Sequence, residues 1–479
     1  MKRVAALLLA GALLAGCARN PATGKNELML VSESQEIAMG QQADSQVIAS
    51  IGLYPDPALQ SYVLDIGKKL AATSERPNLP WSFRVVDDPA VNAFAIPGGF
   101  VYVTRGLLTH VTNEAQLATV MGHEIGHVTA RHTAHEMSRE ELANVGLVVG
   151  SIASSAIAKY AGLASQAMGL MFLKFSRENE NTADALGVRY SSRAGYDSRQ
   201  EDSVMAMLDQ LEKQSSSKLP EWLETHPNPG NRIQHINSVL ADTKVDFTNA
   251  IVNTSGFERR LDGMIFGMNP REGFFKNGVF YHPDMRFQIA FPNGWQTQNT
   301  KSAVAAMSPQ QDAMIELTIA RGSNADQAAR AFLSQQGVQA GTLTRGNING
   351  LSAAVAPFAA QTQQGTLQGQ AAFIQYGNNV FQVLAYGPQA GWSANQSVAQ
   401  RSISSFGQLN DPAMLNVQPQ HVSLITLDRR TTIAELLQQR PAPVSAATLA
   451  LINQVDPKTA LEPGRIVKWV VGQPLPATP

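Results

Sequence analysis

The sequence contains a single cysteine, Cys17, among 479 residues, which excludes a disulfide within the chain. It also lacks an excess of either charge, because 37 Lys and Arg residues balance 38 Asp and Glu residues, for a formal net charge of -1. Proteins that bind nucleic acid usually carry a clear basic excess or a basic patch. The composition therefore predicts no nucleic-acid partner.

Long apolar runs are missing as well. The run from Val4 to Leu14 has eleven residues, whereas a helix needs about 20 to cross a bilayer. A second apolar stretch, residues 144–173, is interrupted by Lys159 and Tyr160. We therefore expect packed core helices in that stretch rather than a membrane span.

The N-terminal segment combines Lys2 and Arg3, the short apolar run and the sequence Leu14-Ala15-Gly16-Cys17. This order resembles a bacterial lipoprotein signal with its lipobox. The resemblance implies that residues 1–16 are a signal peptide and that Cys17 is lipidated. It also implies a periplasmic protein that is lipid-anchored to the outer membrane. An ordinary signal peptide with a small-residue cleavage site is the alternative.

The length suggests several domains, and we expect three after the signal peptide. Residues 17–262 begin with helical spacing of apolar positions and continue with strands that meet at Pro97-Gly98-Gly99 in a predicted hairpin. Residues 263–408 show the strands and helices of an α+β accessory domain. Residues 409–479 form a small module that weakly resembles LysM, which would give it peptidoglycan as a partner. A generic packing module fits the same pattern.

The stretch MGHEIGHVTARH, residues 121–132, contains the motif HExxH. On a helix, His123 and His127 stand one turn apart on the same face and can bind one metal ion, while Glu124 is free to transfer a proton. A cap at Thr112 or Asn113 and the apolar spacing that follows predict such a helix. The alternative is a pair of histidines that are satisfied within a core.

A catalytic zinc site needs a third protein ligand, and the segment FSRENENTADALGVRY, residues 175–190, offers one. It predicts a helix on which Glu180 and Asp184 lie one turn apart. HExxH followed by a helix with ExxxD resembles the M48 family of zinc metallopeptidases. The resemblance implies that Glu180 is the third ligand of one zinc ion and that Asp184 orients a histidine ligand. Glu178, the rival carboxylate, lies roughly on the opposite side of this helix.

The segment LETHPNPGNRIQHI, residues 223–236, also matches the family, through His226, Pro227 and Arg232. The resemblance implies that His226 either stabilises the transition state or plugs the open zinc position. It implies that Arg232 either holds Asp184 or Glu180 or binds substrate. A plain turn of the chain is the alternative for both residues.

Two residues depart from the family pattern, Glu224 where serine is common and Thr182 where glutamate is common. The remaining histidines lack ligand spacing. Among them, His132 and His135 are expected to be turned away from the zinc face and to be structural or solvated.

The expected fold class is α+β: a mainly helical zincin-type metalloprotease domain with a small sheet, followed by the α+β domain and the small C-terminal module. The resemblance implies a zinc-dependent endopeptidase of the cell envelope, with Glu124 as general base. Its expected substrates are misfolded or unassembled proteins. The hairpin segment also resembles the family, which implies that a substrate backbone pairs with its strand edge; a plain hairpin of the core is the alternative. The alternatives are a chaperone or assembly lipoprotein with a plugged site, and a cell-wall-binding scaffold.

Overall fold

The computed structural model describes residues 17–146, 174–214, 221–226, 229–362 and 365–474. The predicted signal peptide, most of the apolar stretch 144–173 and Pro227 lie outside the described residues. Helices and strands are mixed along the described ranges, as expected of an α+β protein. None of the helices in these ranges has the length and apolar character needed to traverse a bilayer.

The strands of the N-terminal part form a small hairpin and a small sheet. The hairpin pairs β1 (Cys17–Arg19) with β2 (Asn26–Leu28). The sheet has the order β3-β5-β4 and consists of β3 (Ser82–Val86), β4 (Ala93–Ile96) and β5 (Phe100–Thr104). β5 is parallel to β3 and antiparallel to β4. The predicted hairpin around Gly98 is therefore confirmed, and β4 is one of the two edge strands of this sheet.

Helices make up the rest of this part: α1 (Glu33–Ser50), α2 (Pro57–Ala71), α3 (Arg105–His110), α4 (Glu114–Thr129), α5 (His132–Gly146), α6 (Arg177–Arg193), α7 (Gln200–Gln214), α8 (Glu221–Thr225), α9 (Pro229–Asp242) and α10 (Thr254–Glu258). Local sequence sets their ends. Asp56, for example, caps α2 by accepting the N–H groups of Ala58 and Leu59. α4 packs along α6 and also contacts α2, α7 and β4, so the helix that carries HExxH lies at the centre of this part.

The accessory part is built on an eight-stranded antiparallel sheet with the order β10-β11-β12-β17-β16-β15-β13, in which β14 also pairs with β15. Successive side chains of a strand point to opposite faces, and both faces of this sheet are covered. Ala372 and Ile374 pack on the side of α12 (Trp392–Ser405), whereas Ala371 and Phe373 pack on the side of α11 (Ala325–Leu333). The sheet strands are β10 (Gln296–Asn299), β11 (Ala303–Met307), β12 (Met314–Ala320), β13 (Val338–Ala340), β14 (Thr344–Ile348), β15 (Leu351–Thr362), β16 (Gly365–Tyr376) and β17 (Asn379–Pro388).

A second, four-stranded sheet of the accessory part has the order β18-β9-β8-β7. Its strands are β7 (Phe274–Lys276), β8 (Val279–His282), β9 (Phe287–Ala290) and β18 (Gly407–Gln408). Phe280, Phe287 and Ile289 of this sheet belong to the same apolar cluster as Phe381 of the larger one. The two sheets therefore share a core.

The C-terminal part shares a core with the helices around α4. Trp469 and Leu449 belong to the same apolar cluster as Leu117 and Val120 of α4. Its sheet, with the order β20-β19-β6, joins β19 (Gln420–Thr426) and β20 (Ile466–Val471) to β6 (Ile265–Phe266). Its helices are α13 (Pro412–Leu415), α14 (Ile433–Gln439) and α15 (Ala446–Ile452). The division of the chain at residues 262/263 and 408/409 stays a prediction.

Candidate metal centre

The HExxH motif lies on α4, as predicted. The side chain of Asn113 caps this helix by accepting the backbone N–H of Gln116. His123, Glu124 and His127 are 1%, 1% and 3% exposed. The motif is therefore on a helix at the centre of the protein rather than on its surface.

Helix α6 brings a carboxylate to the same place. It begins at the cap Ser176 and carries Glu180 and Asp184, which are both buried. Glycines permit the close approach of α4 and α6. A Cβ atom on Gly187 would lie 3.0 Å from the backbone nitrogen of His123, and one on Gly122 would lie 3.1 Å from the carbonyl oxygen of Gly187. Because the two backbones touch at this point, the short Glu180 side chain reaches the histidines.

The three proposed ligands converge at spacings that fit a metal ion. His123 Nε2 lies 3.0 Å from His127 Nε2 and 3.8 Å from Glu180 Oε2, and His127 Nε2 lies 3.4 Å from Glu180 Oε1. Two ligands that bind zinc tetrahedrally, each at about 2.0–2.1 Å, are about 3.3 Å apart. Two imidazoles and one carboxylate are also a donor set that zinc enzymes use. The residues therefore fit a zinc ion.

Asp184 and Arg232 form an ion pair next to His123. Asp184 Oδ1 is 2.9 Å from His123 Nδ1, so it orients the imidazole with Nε2 towards the ligand cluster. Arg232 Nε donates to Asp184 Oδ2 at 2.9 Å, and Arg232 Nη1 is 3.0 Å from Glu180 Oε2. Although burial would raise it, the Arg232 guanidinium and His123 lower the pKa of Asp184 to about 2. Arg232 thus contacts both of its predicted carboxylate partners, Asp184 and Glu180.

Glu124 lies beside the ligands, and one of its carboxylate oxygens makes no hydrogen bond among the described residues. Its carboxyl group accepts a hydrogen bond from the backbone of Ala95 on edge strand β4. Its Oε1 atom is buried and makes no hydrogen bond within the described ranges. Burial raises the pKa of Glu124 to about 8, and the nearby His226 opposes this rise. Such a carboxyl group can both accept and return a proton near neutral pH.

His226 occupies the remaining side of the cluster. It follows α8, and its backbone N–H donates to the carbonyl oxygen of Trp222 at 2.8 Å. His226 Nδ1 is 2.9 Å from Glu180 Oε1 and 3.4 Å from His123 Nε2, and His226 Nε2 is 3.6 Å from Glu124 Oε1. One ligand atom each from His123, His127, Glu180 and His226 lies within 4.8 Å of the others. His226 therefore stands where a fourth ligand would be.

His132 does not join the ligand cluster, but it contacts one of the ligands: it packs against the Nδ1 side of His127, opposite the Nε2 atom that faces the cluster. His132 is 4% exposed, and its Nδ1 atom lies 3.0 Å from Nδ1 of His127. Five residues along a continuous helix would have separated the two side chains. α4 ends at Thr129, however, with Ala130 as its cap, and Arg131 adopts a left-handed conformation with φ of 56°, which redirects the chain. His135, by contrast, is partly exposed and contacts Glu136 rather than the metal ligands.

Two further carboxylates lie in opposite environments: Glu178 is exposed, whereas Glu201 is buried. Glu178 is 79% exposed and forms an ion pair with Lys25, which confirms that it points away from the site. Glu201 was not anticipated from the sequence. It is 2% exposed, both of its oxygens lack a hydrogen bond within the described ranges, and burial next to Asp184 raises its pKa. Nothing in its local sequence distinguishes it from a solvated acid on α7.

Comparisons with known proteins agree with this geometry. The profile of peptidase family M48 matches residues 57–240. The beta-barrel assembly-enhancing protease of Yersinia pestis is 34% identical over 250 residues, which cover 48% of this chain and 51% of that protein. The mitochondrial metalloendopeptidase OMA1 of Schizosaccharomyces pombe is 31% identical over 230 residues, which cover 47% of this chain and 67% of that protein. The chain thus spans about half the length of the Yersinia relative.

Similarity to solved structures is weaker. The solution structure of cyanobacterial PsbP from Synechocystis covers 27% of this chain and 91% of its own, with 15% identity and a TM-score of 0.24. A score this low supports no functional argument.

Proposed function

The chain belongs to peptidase family M48, and on this premise we propose that it is a zinc-dependent endopeptidase of the bacterial cell envelope. One observation carries the proposal. The buried side chains of His123, His127 and Glu180 converge at zinc-ligand spacing, with Glu124 beside them. We assign the helical N-terminal part with its small sheet to a zincin-type domain, in which His123, His127 and Glu180 hold the metal.

In the proposed reaction, the zinc ion and the protein side chains have different roles. A zinc ion in this site would polarise the scissile carbonyl group and acidify the attacking water. Glu124 takes the proton of that water on its Oε1 atom, which makes no hydrogen bond among the described residues, and returns it to the leaving amine. Asp184 holds His123 in the orientation that points Nε2 at the metal, and Arg232 keeps Asp184 and Glu180 ionised in a buried environment.

The edge strand β4 offers a place for the substrate backbone. β4 pairs with β5 on one side only among the described strands. Its residue Ala95 donates a backbone hydrogen bond to Glu124, so this edge reaches the proposed base. An extended substrate that pairs with β4 would bring a peptide bond to the metal ligands, as in β-strand addition generally.

A second candidate function is favoured by His226. Zinc sites with four protein ligands are usually structural, whereas catalytic sites keep one position open. His226 stands in that fourth position. The protein would then be a chaperone or assembly lipoprotein whose site is plugged, or a peptidase in which His226 must move before substrate binds. In a third possibility, His226 Nε2 donates a hydrogen bond to the oxyanion of the transition state.

For substrates and location we propose unfolded or unassembled envelope proteins and the periplasmic face of the outer membrane. Relatives from Yersinia pestis and Escherichia coli are named beta-barrel assembly-enhancing proteases, which supports outer-membrane proteins as substrates. A lipid on Cys17 would hold the peptidase close to the membrane. Asn20, three residues further on, donates to the carbonyl oxygen of Ala130 at the end of α4.

A cell-wall-binding scaffold receives less support. Trp469, the tryptophan of the C-terminal part, is 2% exposed and so cannot stack on a glycan. We expect the protein to be absent from the pellet when it is mixed with purified peptidoglycan and sedimented.

The test of the main proposal is digestion of an unfolded outer-membrane β-barrel protein and of casein. We expect Glu124→Gln to bind zinc like the wild type and to lose about 10²- to 10⁴-fold in rate, the usual contribution of a general base. Glu178→Gln is the matched control, because Glu178 is an exposed glutamate whose side chain pairs with Lys25 and points away from the site. Cleavage by Glu124→Gln at the wild-type rate would rule out the hydrolytic mechanism.

His226→Ala separates the candidate functions in the same assay. An active His226→Ala variant beside an inactive wild type would favour a chaperone or assembly lipoprotein whose zinc site is plugged by His226. Increased activity over an active wild type would favour a movable plug. Loss of activity with zinc retained would assign His226 to the transition state.

A further inference from the structure

The imidazoles of His127 and His132 meet edge to face in the interior. Their Nδ1 atoms are 3.0 Å apart, their ring centroids are 4.9 Å apart, and the rings are inclined by 77°. His127 is 3% and His132 is 4% exposed. At this distance one nitrogen must donate a proton and the other must accept it.

The direction of this hydrogen bond follows from the opposite side of His127. Its Nε2 atom faces His123 and Glu180, so the lone pair on Nε2 is the one that a metal uses. The ring proton of His127 must therefore be on Nδ1, and Nδ1 of His132 accepts it.

Metal-binding histidines usually donate their second ring N–H to a carboxylate, a carbonyl oxygen or water, which fixes the ring and raises its basicity. His123 follows this rule through Asp184. His127 has the neutral ring of His132 in that place.

The polypeptide reaches this arrangement only through an unusual turn. Arg131 has φ of 56°, a conformation that residues with a side chain rarely adopt. Arg131 Nε donates to Glu36 Oε1 at 2.9 Å, and Arg76 donates both to Glu36 Oε2 at 2.8 Å and to the carbonyl oxygen of Val128 at 2.9 Å. These contacts hold the end of α4 next to the start of α5, where His132 meets His127.

We propose that His132 is a positioning residue for the metal ligand His127. It accepts the Nδ1 proton of His127 and thereby fixes both the tautomer and the ring orientation in which Nε2 binds zinc. The two histidine ligands are thus supported differently, one by an anionic carboxylate and the other by a neutral imidazole. This inference rests on the proposed zinc site, and its test does not depend on peptidase activity.

The experiment measures the zinc dissociation constant of the purified full-length protein by competition with a chromophoric chelator. His132→Ala should raise the constant about 10- to 100-fold, the usual effect of removing such a partner. His132→Asn places an amide oxygen near the position of Nδ1 and should restore most of the affinity, whereas the longer His132→Gln should not. His135→Ala is the control on the same helix, because the His135 side chain is partly exposed and faces Glu136.

Thermal unfolding of the metal-free variants separates positioning from general stability. We expect His132→Asn and His132→Gln to have the same melting temperature without zinc and to differ in zinc affinity. Equal affinity in these two variants, or wild-type affinity in His132→Ala, would overturn the proposal. A wild-type protein that binds no zinc would overturn the proposed function together with it.

Discussion

The Lys468 ammonium group donates a hydrogen bond to the carbonyl oxygen of Val111 at 2.7 Å and another to that of Thr109 at 2.8 Å. Lys468 is completely buried on β20, and the two carbonyl groups lie just before α4. The side-chain amide of Asn453 donates a hydrogen bond to the backbone carbonyl oxygen of Lys468 and accepts one from its backbone N–H. The C-terminal part is therefore fastened to the segment that starts the HExxH helix.

Replacement of Lys468 should destabilise the whole protein. In Lys468→Met the carbonyl groups of Thr109 and Val111 lose their donor, and each buried acceptor without a partner costs about 1–3 kcal/mol. We expect the free energy of unfolding to fall by at least that amount in chemical denaturation. Lys458→Met is the control, because Lys458 is exposed in the same part of the chain. Equal stability of the two variants would contradict the role given to Lys468.

The same lysine predicts a pH dependence of stability. Burial lowers the pKa of Lys468 from 10.5 to about 7, and Glu258 only partly opposes this. Between those two values the unfolded chain binds more protons than the folded one, so the free energy of unfolding rises with pH. Wild type should gain stability relative to Lys468→Met between pH 7 and pH 9, as measured by urea denaturation at each pH. A constant difference between the two proteins would show that Lys468 titrates normally.

Much of the site could be predicted because its signals are local. The cap Asn113 and the apolar spacing that follows define α4, and the spacing of Glu180 and Asp184 places both on one face of α6. These features depend on residues within a few turns of each other. The antiparallel pairing of β4 and β5 around Gly98 is predictable for the same reason.

The features that were missed depend on contacts between distant residues. The conformation of Arg131, which brings His132 to the site, is held by Glu36, 95 positions earlier. Lys468 looks like any solvated lysine in the sequence, and its burial is compensated by carbonyl groups more than 350 positions away. Periodicity within a single segment contains no information about either contact.

The buried charges around Arg232 predict a stability change that zinc reverses in part. Arg232→Met leaves the carboxylates of Asp184 and Glu180 without their cation, and breaking a buried ion pair in this way costs about 3–5 kcal/mol. Zinc restores positive charge next to Glu180. We therefore expect Arg232→Met to lose less free energy of unfolding in saturating zinc than in the presence of a chelator. Denaturation under both conditions measures this difference. Arg330→Met is the control, because Arg330 is 63% exposed and should show no zinc dependence.

Gly187→Ala tests whether the contact of α4 with α6 sets the geometry of the ligands. Helix propensity alone predicts that alanine stabilises α6 by up to about 1 kcal/mol. The added Cβ, however, would lie 3.0 Å from the backbone nitrogen of His123, and neither backbone can yield without moving its helix. Overpacking of this kind costs about 1–3 kcal/mol, so the two effects have opposite signs and the steric one should exceed the other.

We therefore expect Gly187→Ala to unfold at a lower denaturant concentration than the wild type and to bind zinc more weakly, because Glu180 moves with α6 away from His123 and His127. Gly346→Ala is the matched control, since a Cβ on Gly346 meets no atom within 4 Å among the described residues. Chemical denaturation and zinc titration of both variants provide the measurement. A Gly187→Ala protein that is more stable than the wild type and binds zinc equally well would mean that the two helices are not in backbone contact, and the ligand geometry would then need another explanation.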